Sequence, residues 1–322
     1  ERLPSTFPIL ASAAPPADPR IERDRLVSQI ARANSFSEAV TFAFIEHQEA
    51  SPFVSDPDEL MTISNPLSEQ FTVLRPSLLP GLVGSVAHNH RRECHDVKLF
   101  EVATRFTRAG ETRAVALAWT GVGTPEHWSQ TTRNVDFFDI KSSVEQILNG
   151  LGVVAPVYHP ATSAYLVAGR AAEVAKDNIR LGILGQLAPT VSVMLGLDGP
   201  DEVFVAELDL DAVAQISLDR SNFRCTALPR HPSVVRDLSI IVASTLPASV
   251  VRDTIRAAAP DTLVSLCEFD RYTGKGIPEN SVSLSLRLTF REPNRTLTDS
   301  EVQQAVDAIV SALATSHQGR VR

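Results

Sequence analysis

Few residues in this chain have types and spacings that could do chemistry, and most of them have a structural reading that suffices. His88-x-His90 followed by Cys94-His95 has the side chains of a metal cluster. On a helix, however, positions two apart face different ways, so the sequence assigns no metal ligands. Asp136 and Asp139 could pair as acid and base, but a helix start attracts carboxylates, and that reading is taken. Gly274-x-Gly276 lacks the strand-to-helix context of a phosphate loop and reads as a turn. The three cysteines, Cys94, Cys225 and Cys267, are odd in number and widely spaced, which rules out a disulfide framework and a CxxC zinc site. Cys225 and Cys267 have no nearby His to activate a thiolate and read as packing residues. Trp119 and Trp128 read as core or interface residues.

One constellation remains. Along Ser283–Arg291, Leu284, Leu286, Leu288 and Phe290 share one parity, while Ser283, Ser285, Arg287, Thr289 and Arg291 share the other. In Arg236–Val242, Leu238, Ile240 and Val242 face in, leaving Asp237, Ser239 and Ile241 outside. Asp270 and Tyr272 share a parity in Leu263–Tyr272. A polar sheet face with small hydroxyls, two arginines and an aromatic at its edge is a platform for an unstacked base: a ring to stack on, small residues that allow close approach, guanidinium groups for phosphate. The competing reading is a solvated antiparallel face.

The elements that would hold these residues fall into two regions. Residues 1–20, rich in Pro, Ala and Ser, read as an extended connector. Helical spacing follows over Ile21–Ala33, a capping box at Ser35-Phe36-Ser37-Glu38, and a buried strand at Val40–Ile45. A helix is expected at Ser77–Arg92 and another at Asp139–Asn149. Strands are expected at Lys98–Phe106, Arg113–Gly121, Arg170–Val174, Leu181–Leu187 and Val203–Leu210. This region, 21–215, is an α+β domain with an antiparallel sheet. A polar link at 216–228 leads to strand Arg236–Val242, helix Pro247–Ala259, strands Leu263–Tyr272 and Ser281–Arg291, and a helix opened by the capping box Thr298–Glu301. Val321 sits in a last short strand. This βαββαβ order over 229–322 is the ferredoxin-like arrangement.

Composition bounds the rest. The chain has 322 residues and a formal net charge of −8, enough for about two domains. Residues 229–322 hold 11 Lys/Arg and 10 Asp/Glu, so the acidic excess belongs to the first region. A second domain at +1 lacks the strongly basic footprint of a free-standing nucleic-acid binder, so other surfaces must supply most phosphate affinity. No run of about 18 apolar residues offers a transmembrane helix. Glu1-Arg2-Leu3-Pro4-Ser5 has neither an initiator Met nor an apolar signal core, and reads as the interior of a longer polypeptide. A reducing cytoplasm is the expected compartment.

An ordered series of motifs then stands out: Asn65-Pro66-Leu67-Ser68-Glu69, Leu74-Arg75-Pro76-Ser77-Leu78-Leu79-Pro80-Gly81-Leu82, Leu99-Phe100-Glu101-Val102, Asp136-Phe137-Phe138-Asp139-Ile140-Lys141 and Gly182-Ile183-Leu184-Gly185-Gln186-Leu187. The second region adds Arg236-Asp237-Leu238-Ser239, Phe269-Asp270-Arg271-Tyr272, Gly274-Lys275-Gly276-Ile277-Pro278 and Arg295-Thr296-Leu297-Thr298-Asp299. Together they resemble the β subunit of bacterial phenylalanyl-tRNA synthetase over essentially the whole chain. The resemblance implies a class II synthetase-like domain without catalytic function, followed by a ferredoxin-like anticodon-binding domain. The tRNA-binding-like, editing and helix-turn-helix-like domains of the subunit would lie upstream, with the acidic cluster that helps hold magnesium.

The resemblance also sets expectations for chemistry. Class II catalytic cores use an Arg in motif 2 and a Gly-rich motif 3 ending in Arg to grip ATP, because guanidinium forks donate paired, charge-assisted hydrogen bonds. Arg105 or Arg108 stands near the end of the strand resembling motif 2. Where motif 3 belongs, the chain reads Val205-Ala206-Glu207-Leu208-Asp209-Leu210-Asp211, with no glycine and no arginine. No catalytic residue is therefore assigned, and neither ATP nor Mg2+ is expected on this chain. Both are expected in an α2β2 complex with a catalytic α subunit and the tRNA for phenylalanine, with no role for DNA or membrane. The tRNA-contacting residues implied by the resemblance are Ser239, Asp270, Tyr272 and Ser283, with Tyr272 stacking on a base while Asp270 and Ser283 hydrogen-bond to it; Arg287 and Arg291 join them from the alternation, as guanidinium groups for phosphate. A rival expectation is a stand-alone RNA-binding or scaffold protein derived from that subunit.

Overall fold

A computed structural model of the chain describes residues 18–124, 126–217 and 228–322. Most of the expected connector and of the 216–228 link, and Cys225, lie outside them. The chain divides into two compact units, Glu1–Phe223 and Arg224–Arg322.

The first unit opens with α1 (Pro19–Ala33), whose N-cap Asp18 accepts a hydrogen bond from Arg20 N. Then come β1 (Ser37–Glu38), β2 (Phe44–Ile45), α2 (His47–Ala50), β3 (Met61–Thr62), β4 (Val73–Leu74), α3 (Leu79–His90), β5 (Val97–Thr107) and β6 (Gly110–Thr120). Next are β7 (Val122–Thr124), β8 (Arg133–Asn134), α4 (Phe137–Gly150), β9 (Val157–Pro160), β10 (Leu166–Lys176), β11 (Ile179–Leu187), α5 (Pro189–Met194), β12 (Val203–Asp209) and α6 (Leu210–Ile216). The main sheet runs β1-β5-β6-β12-β11-β10-β9, and all of its pairs are antiparallel except β1 with β5.

Alternation along β6 shows how the two sheet faces are built. Val115, Leu117 and Trp119 pack with α1, α4 and α6 on one side. Ala114, Ala116 and Ala118 face α3 on the other, where their small side chains let Leu79, Leu82, Val83 and Val86 of that helix lie close. Both faces are thus covered by helices.

Two sequence expectations in this unit are corrected. Ser35 does not cap a helix: it follows α1 in a left-handed conformation (φ 65°), and Ser37–Glu38 pair in parallel with Leu99 and Phe100. Val40–Ile45 is not a buried strand. Only Phe44 and Ile45 pair, with β4, while Val40 and Phe42 are exposed. The reason lies between them: Thr41 is held by the carboxylate of buried Glu101, through N (3.2 Å) and Oγ1 (2.7 Å), and the residues on either side turn outward. Of the two tryptophans expected in core or interface, Trp119 lies in the core, and Trp128 is 92% exposed.

The second unit comprises β13 (Val234–Ala243), α7 (Ala248–Ala258), β14 (Leu263–Tyr272), β15 (Ser281–Phe290), α8 (Asp299–His317) and β16 (Arg320–Val321). The strand order is β14-β15-β13-β16, antiparallel throughout. Leu238, Ile240, Val242, Leu284, Leu286, Leu288 and Phe290 pack against Val251, Ile255, Val302, Ile309 and Leu313 of the two helices. Thr298 and Glu301 form the expected capping box on α8.

Candidate nucleic-acid interface

The site is built by register on the sheet face opposite α7 and α8. Ser285 sits across from Ser239 on β13 and from Asp270 on β14; Ser283 sits across from Ile241 and from Tyr272. The expected cluster of Ser239, Asp270, Tyr272 and Ser283 is therefore contiguous. The two serine hydroxyls of Ser239 and Ser285 are 3.1 Å apart and satisfy one another. Ser283 differs. It is 1% exposed, and its hydroxyl has no hydrogen-bond partner among the described residues. An unpaired buried hydroxyl costs free energy that an incoming polar group recovers. The ring of Tyr272 lies against Gly274, where an added Cβ would stand 2.8 Å from the phenolic oxygen. Gly274–Ile277 is the expected turn, closed by Ile277 N donating to Gly274 O at 3.0 Å.

The arginines are placed less simply. Arg287 forms a two-pronged pair with Asp237, 2.8 Å in each prong. Hydrogen bonding to Arg287 holds the Asp237 carboxyl below the usual range, and the same bond raises the guanidinium. Arg287 is thus engaged within the sheet, with Nη1 outside the pair. Arg291 lies beyond the end of β15, eight residues from Ser283, or about 27 Å along a strand. One contiguous patch holding all six residues does not form.

Two residues on this face escaped the reading of alternation. Phe269 occupies a bulge between Glu268 and Asp270 and is 50% exposed, with the Arg287 guanidinium 5.0 Å from its ring centre. A bulge adds one residue to one strand and breaks strict alternation, so parity alone could not place it. Arg322 places its guanidinium 4.9 Å from the ring centre of Tyr272, a cation–π contact over the stacking surface. Its backbone N–H donates to Ser239 O at 3.0 Å.

In the first unit, the carboxylates that stand where motif 3 belongs are consumed by the fold. Glu207, 6% exposed, accepts from Leu78 N (2.7 Å), Ser77 Oγ (3.0 Å) and Arg105 Nη1 (3.0 Å). Arg105 also donates to Asp209 (2.5 Å) and to Thr112 Oγ1 (2.8 Å). Burial works against its charge, but Glu207 and Asp209 outweigh burial and raise its pKa. Asp209 caps α6, and Asp211 accepts from Arg113 N and Arg23. A cavity of about 690 Å³ is lined here by Arg105, Tyr165, Arg180, Glu207 and Asp209. Burial and the Glu207 carboxylate push the Tyr165 hydroxyl up. A triphosphate meets a guanidinium already neutralised by two carboxylates, so this donor set does not fit ATP.

Asp136 and Asp139 are the two halves of a capping box on α4, as expected. Hydrogen bonds from Arg133 hold Asp139 below the ordinary carboxylate range, which suits a helix cap and not a general acid. Cys94 and Cys267 are exposed, so the packing role expected of Cys267 does not hold.

A nearly antiparallel sheet covered by helices on both faces makes the first unit an α+β domain, and a four-stranded antiparallel sheet with two helices on one side makes the second a ferredoxin-fold domain. A family model described as "Phenylalanyl tRNA synthetase beta chain CLM domain" matches residues 3–210, and one described as "Ferredoxin-fold anticodon binding domain" matches residues 229–322. The chain belongs to the phenylalanine–tRNA ligase β-subunit family. It is 36% identical over 322 residues to that subunit of Pseudomonas fluorescens, covering 97% of this chain and 39% of the relative. With the Aromatoleum aromaticum subunit it shares 33% identity over 311 residues, 92% of this chain and 37% of the relative. The chain thus spans about two fifths of the length of these relatives. Among solved structures, a pyrrolysyl-tRNA synthetase from Desulfitobacterium hafniense aligns with TM-score 0.49 at 15% identity, over 62% of this chain and 66% of that one. These findings do not favour a stand-alone scaffold. Among the described residues, no helix is long and apolar enough to cross a membrane.

Proposed function

We propose that this chain works inside a cytoplasmic phenylalanine–tRNA ligase, an α2β2 assembly that joins phenylalanine to its tRNA using ATP and magnesium. The chemistry lies on the α subunit. The first unit docks onto that subunit, and the second receives an anticodon base at Ser239, Asp270, Tyr272 and Ser283. The observation that carries the reading is the buried, unpartnered hydroxyl of Ser283 across from Tyr272 on an uncovered sheet face. A base stacked on the ring brings hydrogen-bonding groups to that hydroxyl. Arg322 must swing off the ring as the base arrives, and its charge then serves a phosphate. Support for docking comes from the exposed apolar side chains Val40, Phe42 and Phe44 beside α3, a surface that burial against a partner would stabilise.

Binding of the cognate tRNA by the assembled enzyme tests the reading. Tyr272→Ala should lose about 1–3 kcal/mol of stacking, roughly a 5- to 150-fold rise in Kd. Arg256→Ala, at an exposed position of α7 on the helical side, should leave Kd unchanged. An unaltered Kd for Tyr272→Ala, or an equal loss with a tRNA whose anticodon bases are removed, refutes the assignment.

A further inference from the structure

His90, His95 and Asp201 converge in the first unit. His90 closes α3, His95 lies in the loop leading to β5, and Asp201 stands just ahead of β12. One donor atom of each lies within 4.8 Å of the other two. Asp201 Oδ2 is 3.3 Å from His95 Nδ1 and 3.8 Å from His90 Nδ1, and the two rings are 4.9 Å apart, centre to centre. Those separations exceed the 2.7–2.9 Å or so of a charge-assisted N–H···O⁻ bond. The shorter matches the edge of a tetrahedron whose ligand bonds are about 2.0–2.1 Å, which sets donor atoms about 3.3 Å apart, and the longer exceeds it by about 0.5 Å. The other nitrogen of His90, Nε2, is buried and has no partner among the described residues. The nitrogen of that ring that faces the carboxylate is Nδ1. A second carboxylate, Glu93, reaches the rim, its Oε2 3.9 Å from His95 Nε2.

We propose that His90, His95 and Asp201 bind a zinc-type divalent cation that ties the end of α3 to the loop entering the central strand β12. Two imidazoles and one carboxylate suit zinc over magnesium or calcium, which prefer all-oxygen shells. Three protein ligands leave a fourth position to water. The site would hold structure.

The metal-free chain is titrated with Zn2+ in equilibrium dialysis, and with Co2+, whose visible absorption reports tetrahedral coordination. One ion per chain is expected. His95→Ala and Asp201→Ala replace exposed side chains and should each weaken binding at least tenfold. His88→Ala, exposed on the neighbouring turn, should leave binding as it was. The same ions should raise the melting temperature of the unsubstituted chain and not that of the two variants. Failure to bind one ion per chain overturns the proposal, as does binding unchanged in either variant or weakened equally by His88→Ala.

Discussion

Removing the carboxylate of Glu207 tests whether the acidic segment is structural. Its two oxygens satisfy Leu78 N–H at the start of α3, the Ser77 hydroxyl and one arm of Arg105. Glu207→Ala strips all three, and Arg105 keeps only Asp209 and Thr112. A hydrogen bond to a charged group is worth about 1.5–3 kcal/mol. Breaking a buried ion pair costs about 3–5 kcal/mol, because the remaining charge stays out of water. These losses share one carboxylate and do not add, so about 4 kcal/mol is expected. For a domain of 150–250 residues, each kcal/mol moves Tm by about 2–4 °C, which gives a fall of about 8–16 °C. Tryptophan fluorescence isolates the effect, since the only two tryptophans, Trp119 and Trp128, both lie in the first unit, and Trp119 is buried on β6 next to β12. Glu207→Gln, which keeps an acceptor for Leu78 but loses the charge, should fall between. A Tm within about 2 °C of the unsubstituted chain in Glu207→Ala would show that the network does not hold the fold. Lost ligase activity in a fully stable Glu207→Gln enzyme would assign the carboxylate a chemical role instead.

Three further outcomes are expected. Gly182 pairs with Leu208 so closely that an added Cβ would lie 2.2 Å from Glu207 O, a backbone atom that cannot yield, so Gly182→Ala should cost about 1–3 kcal/mol in urea unfolding; an unchanged midpoint refutes the close approach. Gly274→Ala meets only the movable end of Tyr272 and should leave stability intact while displacing the ring, weakening tRNA binding roughly 3- to 10-fold, a fraction of one stacked base; unaltered binding argues against the ring's role. Hydrogen bonds from Arg295 and Thr298 hold Glu301 down to about 2 from an ordinary 4.5. Because the folded value is depressed, the stability it contributes is complete above about 4.5 and fades as pH falls toward 2. The stability gap between the native chain and Glu301→Gln should therefore shrink from pH 5.5 to 3, and a constant gap counts against the pairing.

The sequence alone determined the features that depend on short-range repetition. The alternation in Arg236–Val242 and Ser281–Arg291 sorted core from open face, because a pleated strand turns successive side chains to opposite sides whatever it pairs with. Thr298–Glu301 and Asp136–Asp139 announced helix starts for a comparable reason, since a cap is closed within four residues. Acidic residues in place of a Gly-rich, Arg-ending segment were visible as types, though their partners were not. Tertiary structure decided what depends on distant chain segments meeting. The bulge that puts Phe269 on the open face, the guanidinium of Arg322 over Tyr272, the engagement of Arg287 by Asp237, and the burial of Ser283 all follow from strand pairing. Thr41 is turned by Glu101, 60 residues away, which no local pattern around Val40–Ile45 could reveal. Asp201 joins His90 and His95 only because β12 enters the sheet beside β6. Loop closure costs only about 0.6 kcal/mol more for each doubling of length, so residues a hundred positions apart can still be brought together, and that freedom leaves no trace in spacing.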